Sequence, residues 1–360
     1  MRKVISGLTI LFMATGCFVG EETPPDQEIW AYALPSEVGM SDEWLLNLDT
    51  ITAFGTFDPV RSMIIIKDDQ LVFENYYGLG DRSTTSNLVR SSPIIAILAM
   101  GIAFDEGWIP RLDIPIQTIL GDAYEDIFEG NVLKRDITIT HLLTHKSGFS
   151  WNETITSTQN PENDINQILL ATDMVRYVLE KPMEATPGIR FNYNTATAIV
   201  MARIVEEVSG QSFTDFVEER IFGPLNITNY SLGFDPSGNA NVATGLSMST
   251  IDLTKLGYLH LKDGLWMNER IVSSQWIREL SSPQSVISTN VNYGYFWQVF
   301  SDEIGFITLL QPNDTYFFSQ HIYINPSQNL LITFSTENIA LGLINNPMFL
   351  YNEVVRSLVQ

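Results

Sequence analysis

The sequence predicts an α/β chain of the α+β kind, with one antiparallel sheet built from both chain ends, flanked by helices, and a mainly helical domain inserted between them. Three observations predict it. Alternating apolar runs over 62–67 and 71–77, separated by Asp68, Asp69 and Gln70, read as a β-hairpin near the start. Four more strand-like runs lie near the end, over 293–300, 305–310, 317–324 and 330–335, and helical periodicity dominates the stretch 89–285 between the two groups. The 360 residues suit two structural domains at roughly 100–200 residues each. Residues 36–88 with 286–360 form the expected sheet domain, and 89–285 the helical one.

In chain order, residues 1–16 read as a bacterial secretory signal: Arg2 and Lys3, an apolar run over 4–14, then small residues before Cys17. Ala14-Thr15-Gly16-Cys17 is similar to a lipobox, in which the signal is cut before Cys and the Cys carries lipid. The apolar run is shorter than the ~20 residues a spanning helix needs. Attachment to a membrane is therefore expected through lipid on Cys17 only, giving an exported, lipid-anchored protein of the cell envelope, on its periplasmic face. As the single Cys, it leaves no internal disulfide. Residues 17–35 are rich in Pro and Glu without period and read as a tether.

Helices are expected over 41–51 (capped by Ser41), 93–104, 139–144, 196–208, 213–221, 249–261, 273–279 and from Pro347, with Asn346 as its cap, to about 358. Ser92-Pro93 reads locally as a helix start, Ser as N-cap and Pro in the first turn.

Charge removes one class of function. Lys plus Arg number 20 against 42 Asp plus Glu, a net charge of −22. Such a chain repels phosphate, so no nucleic-acid partner is expected. His141 and His145 stand at i and i+4, but no H-E-x-x-H or C-x-x-C accompanies them, so no metal and no cofactor is expected. There is no G-x-S-x-G nucleophile elbow and no phosphate-binding G-x-x-x-x-G-K-S/T loop.

What remains is a distributed set of segments: Pro35-Ser-Glu-Val-Gly-Met40, Gly101-Ile-Ala103 with Gly107, Ile137-Thr-Ile-Thr-His-Leu-Leu143 with Ser147-Gly148, Pro187-Gly-Ile-Arg-Phe-Asn-Tyr-Asn-Thr195, Gly223-Pro-Leu225, Asp252 with Lys255, and Tyr293-Gly-Tyr295 before Trp297. In this order they resemble the β-lactamase-related serine hydrolases, a family that includes class C β-lactamases, penicillin-binding-type peptidases, esterases and 6-aminohexanoate-dimer hydrolase. The resemblance covers about 35–358 and implies the β-lactamase/penicillin-binding-protein-like fold.

It also implies a chemistry: a Ser-x-x-Lys pair at a helix start, a Tyr, and a Gly-rich strand. A Ser hydroxyl is a poor nucleophile at neutral pH, so Lys or Tyr must take its proton while backbone N–H groups hold the oxyanion. Tyr193 stands at the Tyr position. Counting back from Gly101 without a gap places Arg90 at the Ser position and Pro93 at the Lys position; one deletion places Ser91 there and leaves no Lys. The candidate catalytic residues are therefore Ser91, Ser92 and Tyr193. In the third motif the family's glycines give way to Phe318 and Ser319 before Gln320, and these three line the expected substrate cleft.

Two readings follow. In the first, the fold is kept with little or no hydrolysis, and the cleft takes a small-molecule, peptide or cell-wall-like ligand. In the alternative, Ser91 or Ser92 acts with Tyr193 in an ester, amide or β-lactam hydrolase. A third idea, polysaccharide or peptidoglycan binding, rests on the envelope address and on the scattered aromatics Trp30, Trp151 and Trp266.

Overall fold

The computed structural model describes residues 29–54, 60–153, 160–288, 291–300, 304–306, 319–336 and 347–358. The expected signal, Cys17, residues 18–28 of the tether, Phe318 and the cap Asn346 lie outside them.

Strands β1 (Val60–Lys67) and β2 (Gln70–Tyr76) form the hairpin. Its turn has two residues: Asp68 and Asp69 take φ of 52° and 65°, the mirror-image turn whose twist matches the flanking strands. β3 (Thr85–Asn87), β4 (Tyr230–Leu232) and β5 (Leu246–Ser249) make a small sheet of order β3-β5-β4. β6 (Leu265–Trp266) pairs with β7 (Glu269–Arg270). The chain then returns to the main sheet with β8 (Ser285–Ser288), β9 (Val291–Tyr293), β10 (Gln298–Phe300), β11 (Ile304–Phe306), β12 (Ser319–Asn325) and β13 (Leu330–Thr336). The order is β2-β1-β13-β12-β11-β10-β9-β8, so both chain ends complete one antiparallel sheet.

Period-two alternation divides the sheet residues between two cores. Ile64, Ile66, Ile322, Ile324 and Leu331 face the large core shared with helices Ile94–Asp105, Thr197–Ser209 and Thr250–Leu261. Met63, Ile65, Tyr323, Ile332 and Phe334 face a second core closed by the end helices Asp42–Ala53 and Pro347–Arg356. Successive strand residues point to opposite faces, so a sheet covered on both sides is buried at every position, as β13 is. Helix Thr250–Leu261 falls in the middle of the sequence yet lies against β1, β12 and β13. Gly257 permits this approach: a Cβ there would stand 2.9 Å from Ile322 Cγ2 and Leu331 Cδ1.

Four expectations are corrected. Residues 29–35 belong to the fold, not to a tether: Ala33 N–H donates to Leu71 O (3.1 Å) and Leu71 N–H to Ala31 O (3.0 Å). Trp30 is buried edge-on against Tyr258 and Trp266, and burial of so large an apolar side chain outweighs the local Pro and Glu content. Trp151 and Trp266 are core residues too, which removes the aromatic surface behind the polysaccharide idea. The run 293–300 is two strands, because Gly294 N–H bonds to Trp297 O (2.8 Å) and Phe296 takes φ 65°; its buried aromatics disguised the turn. The helix expected over 213–221 ends at Val217 and continues as a wider turn, Glu218–Phe222. Among the described residues no helix is long and apolar enough to cross a membrane. Helix Ile94–Asp105 is nearly all apolar, but it has 12 residues and lies in the core.

Candidate functional site

The segment leading into helix Ile94–Asp105 sits where the sequence places the nucleophile. It is pinned to the small sheet: Leu88 N–H donates to Leu246 O (2.8 Å), and Ser92 Oγ accepts from Leu246 N–H (3.3 Å). Val89 takes φ 48°, held by its N–H bond to Asn87 Oδ1 (2.6 Å). A β-branched residue in that region is strained, and Val89 bears this strain at the first position of the turn Val89–Ser91. Ser92 is therefore not the helix N-cap. It has helical backbone angles, and its hydroxyl serves β5 instead of the helix start. Pro93 stands at the helix boundary with φ −56°, where a missing N–H carries no penalty. Ser91 Oγ donates to the backbone carbonyl of Gln320 on β12 (3.0 Å). Both serines are 0% exposed.

Arg90 points into the interior, 4% exposed, with Nε 3.2 Å from Glu153 Oε1. The Glu153 carboxylate also accepts from Trp151 Nε1 (2.9 Å), Thr195 N–H (2.9 Å) and Thr195 Oγ1 (2.5 Å). A buried ion pair persists only when further hydrogen bonds satisfy its remaining lone pairs, and here they do. Neither Glu153 nor Thr195 was singled out from the sequence. An isolated Glu carries no pattern, and its role appears only when the chain brings it against Arg90.

Tyr193 is buried in the same cluster, with its ring centroid 6.0 Å from that of Tyr293. Burial, followed by the nearby negative charge of Glu153, pushes its phenol up to about 12, with Arg90 opposing. Burial holds the Tyr293 hydroxyl well above its ordinary value as well. His145 packs against both rings, with centroids 4.8 Å from Tyr193 and 5.4 Å from Tyr293, and 4.1 Å from Phe296. Its Nδ1 accepts from Asn194 N–H (3.3 Å), fixing the backbone beside Tyr193. Burial lowers this imidazole to about 3. His141 and His145 do not share a helical face: the helix Ile139–Leu143 has ended, and His145 takes φ 55°. His141 Nδ1 instead accepts from Thr138 N–H (3.1 Å) and closes the start of that helix.

Of the expected cleft residues, Phe318 lies outside the described residues and Ser319 opens β12. Gln320 is 1% exposed; its Nε2 donates to Ser86 Oγ (2.5 Å) and its Oε1 has no partner. The structure thus brings Ser91 to Gln320 and gathers Arg90, Glu153, Tyr193, Thr195 and Tyr293 into one buried polar cluster. Each predicted serine is engaged with backbone.

An interrupted antiparallel sheet with a helix start, a tyrosine and a strand converging beside it is the β-lactamase/penicillin-binding-protein-like scaffold. The family profile described as Beta-lactamase matches residues 95–338, and the chain belongs to that family. Among curated relatives, a protein of Escherichia coli (strain K12) named "Putative D-alanyl-D-alanine carboxypeptidase" is 25% identical over 280 residues, covering 70% of this chain and 61% of that protein. Lovastatin esterase of Penicillium rubens is 34% identical over 102 residues, 26% of this chain and 24% of the esterase. The chain thus spans about three fifths of the length of the carboxypeptidase relative. Among solved structures, a "Putative 6-aminohexanoate-dimer hydrolase from Bacillus anthracis" superposes with a TM-score of 0.71 at 16% identity, covering 91% of this chain and 86% of that one. The penicillin binding protein from Bacillus halodurans gives 0.64 at 18% identity, covering 86% and 98%. At these identities the structural likeness speaks for the fold alone.

Proposed function

We propose that this chain is a lipid-anchored envelope protein that keeps the serine-hydrolase scaffold but carries out little or no acyl hydrolysis. The observation that carries this reading is the buried ion pair of Arg90 with Glu153, beside a neutral Tyr193. In the ungapped alignment Arg90 occupies the nucleophile position, and a guanidinium held by a carboxylate forms no acyl-enzyme. Pro93, at the Lys position, offers no base. Ser91 and Ser92 are buried and bonded to backbone. Ionising a phenol with a pKa of about 12 at pH 7 costs on the order of 7 kcal/mol, so Tyr193 is a poor substitute for the missing Lys.

The names of the carboxypeptidase and esterase relatives support a second reading, acyl hydrolysis through Ser91 or Ser92 with Tyr193. Intact-mass spectrometry after incubation with a fluorophosphonate, and separately with a penicillin, distinguishes the two. The expected result is a folded protein without an adduct. An adduct that maps to this segment and disappears in Ser91→Ala or Ser92→Ala restores the hydrolase. Lipid attachment rests on the segment 14–17. Its check is incorporation of labelled palmitate in a bacterial host, lost in Cys17→Ala.

A further inference from the structure

A cavity of about 390 Å³ opens at one end of the main sheet, between β1, β12, β13, the start of helix Thr250–Leu261 and the chain leading through β3. Neither Arg90, Ser91 nor Tyr193 lines it; Gln320, whose carbonyl accepts from Ser91 Oγ, is the residue it shares with the site described above, and its binding role does not depend on whether hydrolysis occurs. Its buried floor is Ser62, Thr250, Gln320 and Ser335; Tyr76 and Arg61 form half-buried walls, and Leu79 and Thr85 stand at the exposed rim. The register explains the convergence. Tyr76 pairs with Ser62, Ser62 with Ser335 and Ser335 with Gln320, so these four form one row across four strands.

We propose that this cavity binds a neutral, hydroxyl-rich small molecule of mono- or disaccharide size. The volume falls in the range of small-molecule sites, roughly 300–1,000 Å³. Ser62 Oγ lies 2.7 Å from Thr250 Oγ1 and 2.6 Å from Ser335 Oγ. Three hydroxyls share two internal hydrogen bonds, which leaves one proton to donate outward and lone pairs to accept. Beside them the Gln320 amide carries an unmet acceptor at 1% exposure, and a buried polar atom without a partner is costly unless something supplies one. A wall that both donates and accepts suits hydroxyl groups, which do both.

The floor carries no charge. Arg61 in the wall and Asp81 at the rim have opposite signs, so a ligand with net charge finds no surplus of counter-charge to offset its dehydration. The positive start of helix Thr250–Leu261 is already met by Asp252, whose carboxylate accepts from Ser249 Oγ (2.8 Å) and Lys255 Nζ (2.8 Å). Tyr76 and Leu79 supply apolar surface for the C–H face of a sugar ring.

The test is titration calorimetry of the full chain with D-glucose, maltose and N-acetyl-D-glucosamine, with D-glucuronate as the anionic counterpart. Saturable binding of at least one neutral probe is expected, weakened tenfold or more in Gln320→Leu and Ser335→Ala and unchanged in Ile189→Ser, an exposed site elsewhere. Thr85→Trp, a rim substitution that leaves the floor intact, is expected to block binding even if the floor variants fold poorly. The absence of saturable heat with any neutral probe at millimolar concentration overturns the proposal. So does binding that Thr85→Trp leaves unchanged, or tighter binding of glucuronate than of glucose.

Discussion

Arg90 Nε stands 3.2 Å from Glu153 Oε1 with both side chains almost wholly buried, 63 residues apart in sequence. Only the fold makes them partners. Removing one of them leaves a charge in a low-dielectric interior, whereas removing both leaves a polar but neutral cavity.

The single substitution Arg90→Met is therefore expected to destabilise the protein by about 3–5 kcal/mol, because the Glu153 carboxylate loses its counter-charge. Arg90→Met combined with Glu153→Gln should recover most of that loss. Urea denaturation of Arg90→Met, Glu153→Gln and the double variant, read as a double-mutant cycle, measures the coupling. Equal and additive losses would mean the pair does not interact as described.

The proposed loss of the Ser-x-x-Lys pair offers a gain-of-function check. Arg90→Ser alone should stay unreactive toward a fluorophosphonate, since Pro93 supplies no base. Arg90→Ser with Pro93→Lys and Glu153→Gln is expected to give an adduct at position 90, seen by peptide mapping. Pro93 has φ −56°, a value Lys adopts without strain.

Acid sensitivity should come largely from buried imidazoles. Burial lowers His145, His260 and His321 from 6.5 to about 3. Between those values the unfolded chain binds protons that the folded chain refuses, so stability rises with pH across this window. It is fully present above about pH 6.5 and is lost as pH falls toward 3, with a slope of up to about 1.4 kcal/mol per pH unit for each His. His321 packs against the Phe334 ring at 4.9 Å with both nitrogens unpartnered. His321→Phe should remove its share of the slope in stability measured at a series of pH values from 7 to 4.

Gly101 marks a close helix contact. A Cβ there would lie 2.3 Å from Trp276 Cδ1, and the indole is fixed by its Nε1 bond to Ile97 O (3.1 Å). Gly101→Ala is expected to cost roughly 1–3 kcal/mol through overpacking, despite the better helix propensity of Ala. Adding Trp276→Leu should reverse the sign of the alanine effect, as thermal denaturation of the pair can show.

Much of the fold was legible because periodicity survives without tertiary context. Ser41 caps its helix as expected, accepting from Trp44 N–H (3.2 Å), and the strands β1, β2, β12 and β13 lie within a few residues of their expected bounds. Composition misled where burial overrode it, at Trp30 and in the aromatic turn 294–297. Ser92 misled for a related reason: its hydroxyl was needed by Leu246 rather than by its own helix.

Residue order alone specified an interrupted sheet and the family, since both depend on spacing along the chain. It could not specify which side chains meet around the candidate serines. That Arg90 meets Glu153, that Ser91 serves the Gln320 carbonyl, and that the Gln320 amide donates to Ser86 are contacts between segments 63, 229 and 234 residues apart. Such contacts follow from packing, where burial makes every charge and hydrogen-bonding group seek a partner that local sequence does not name.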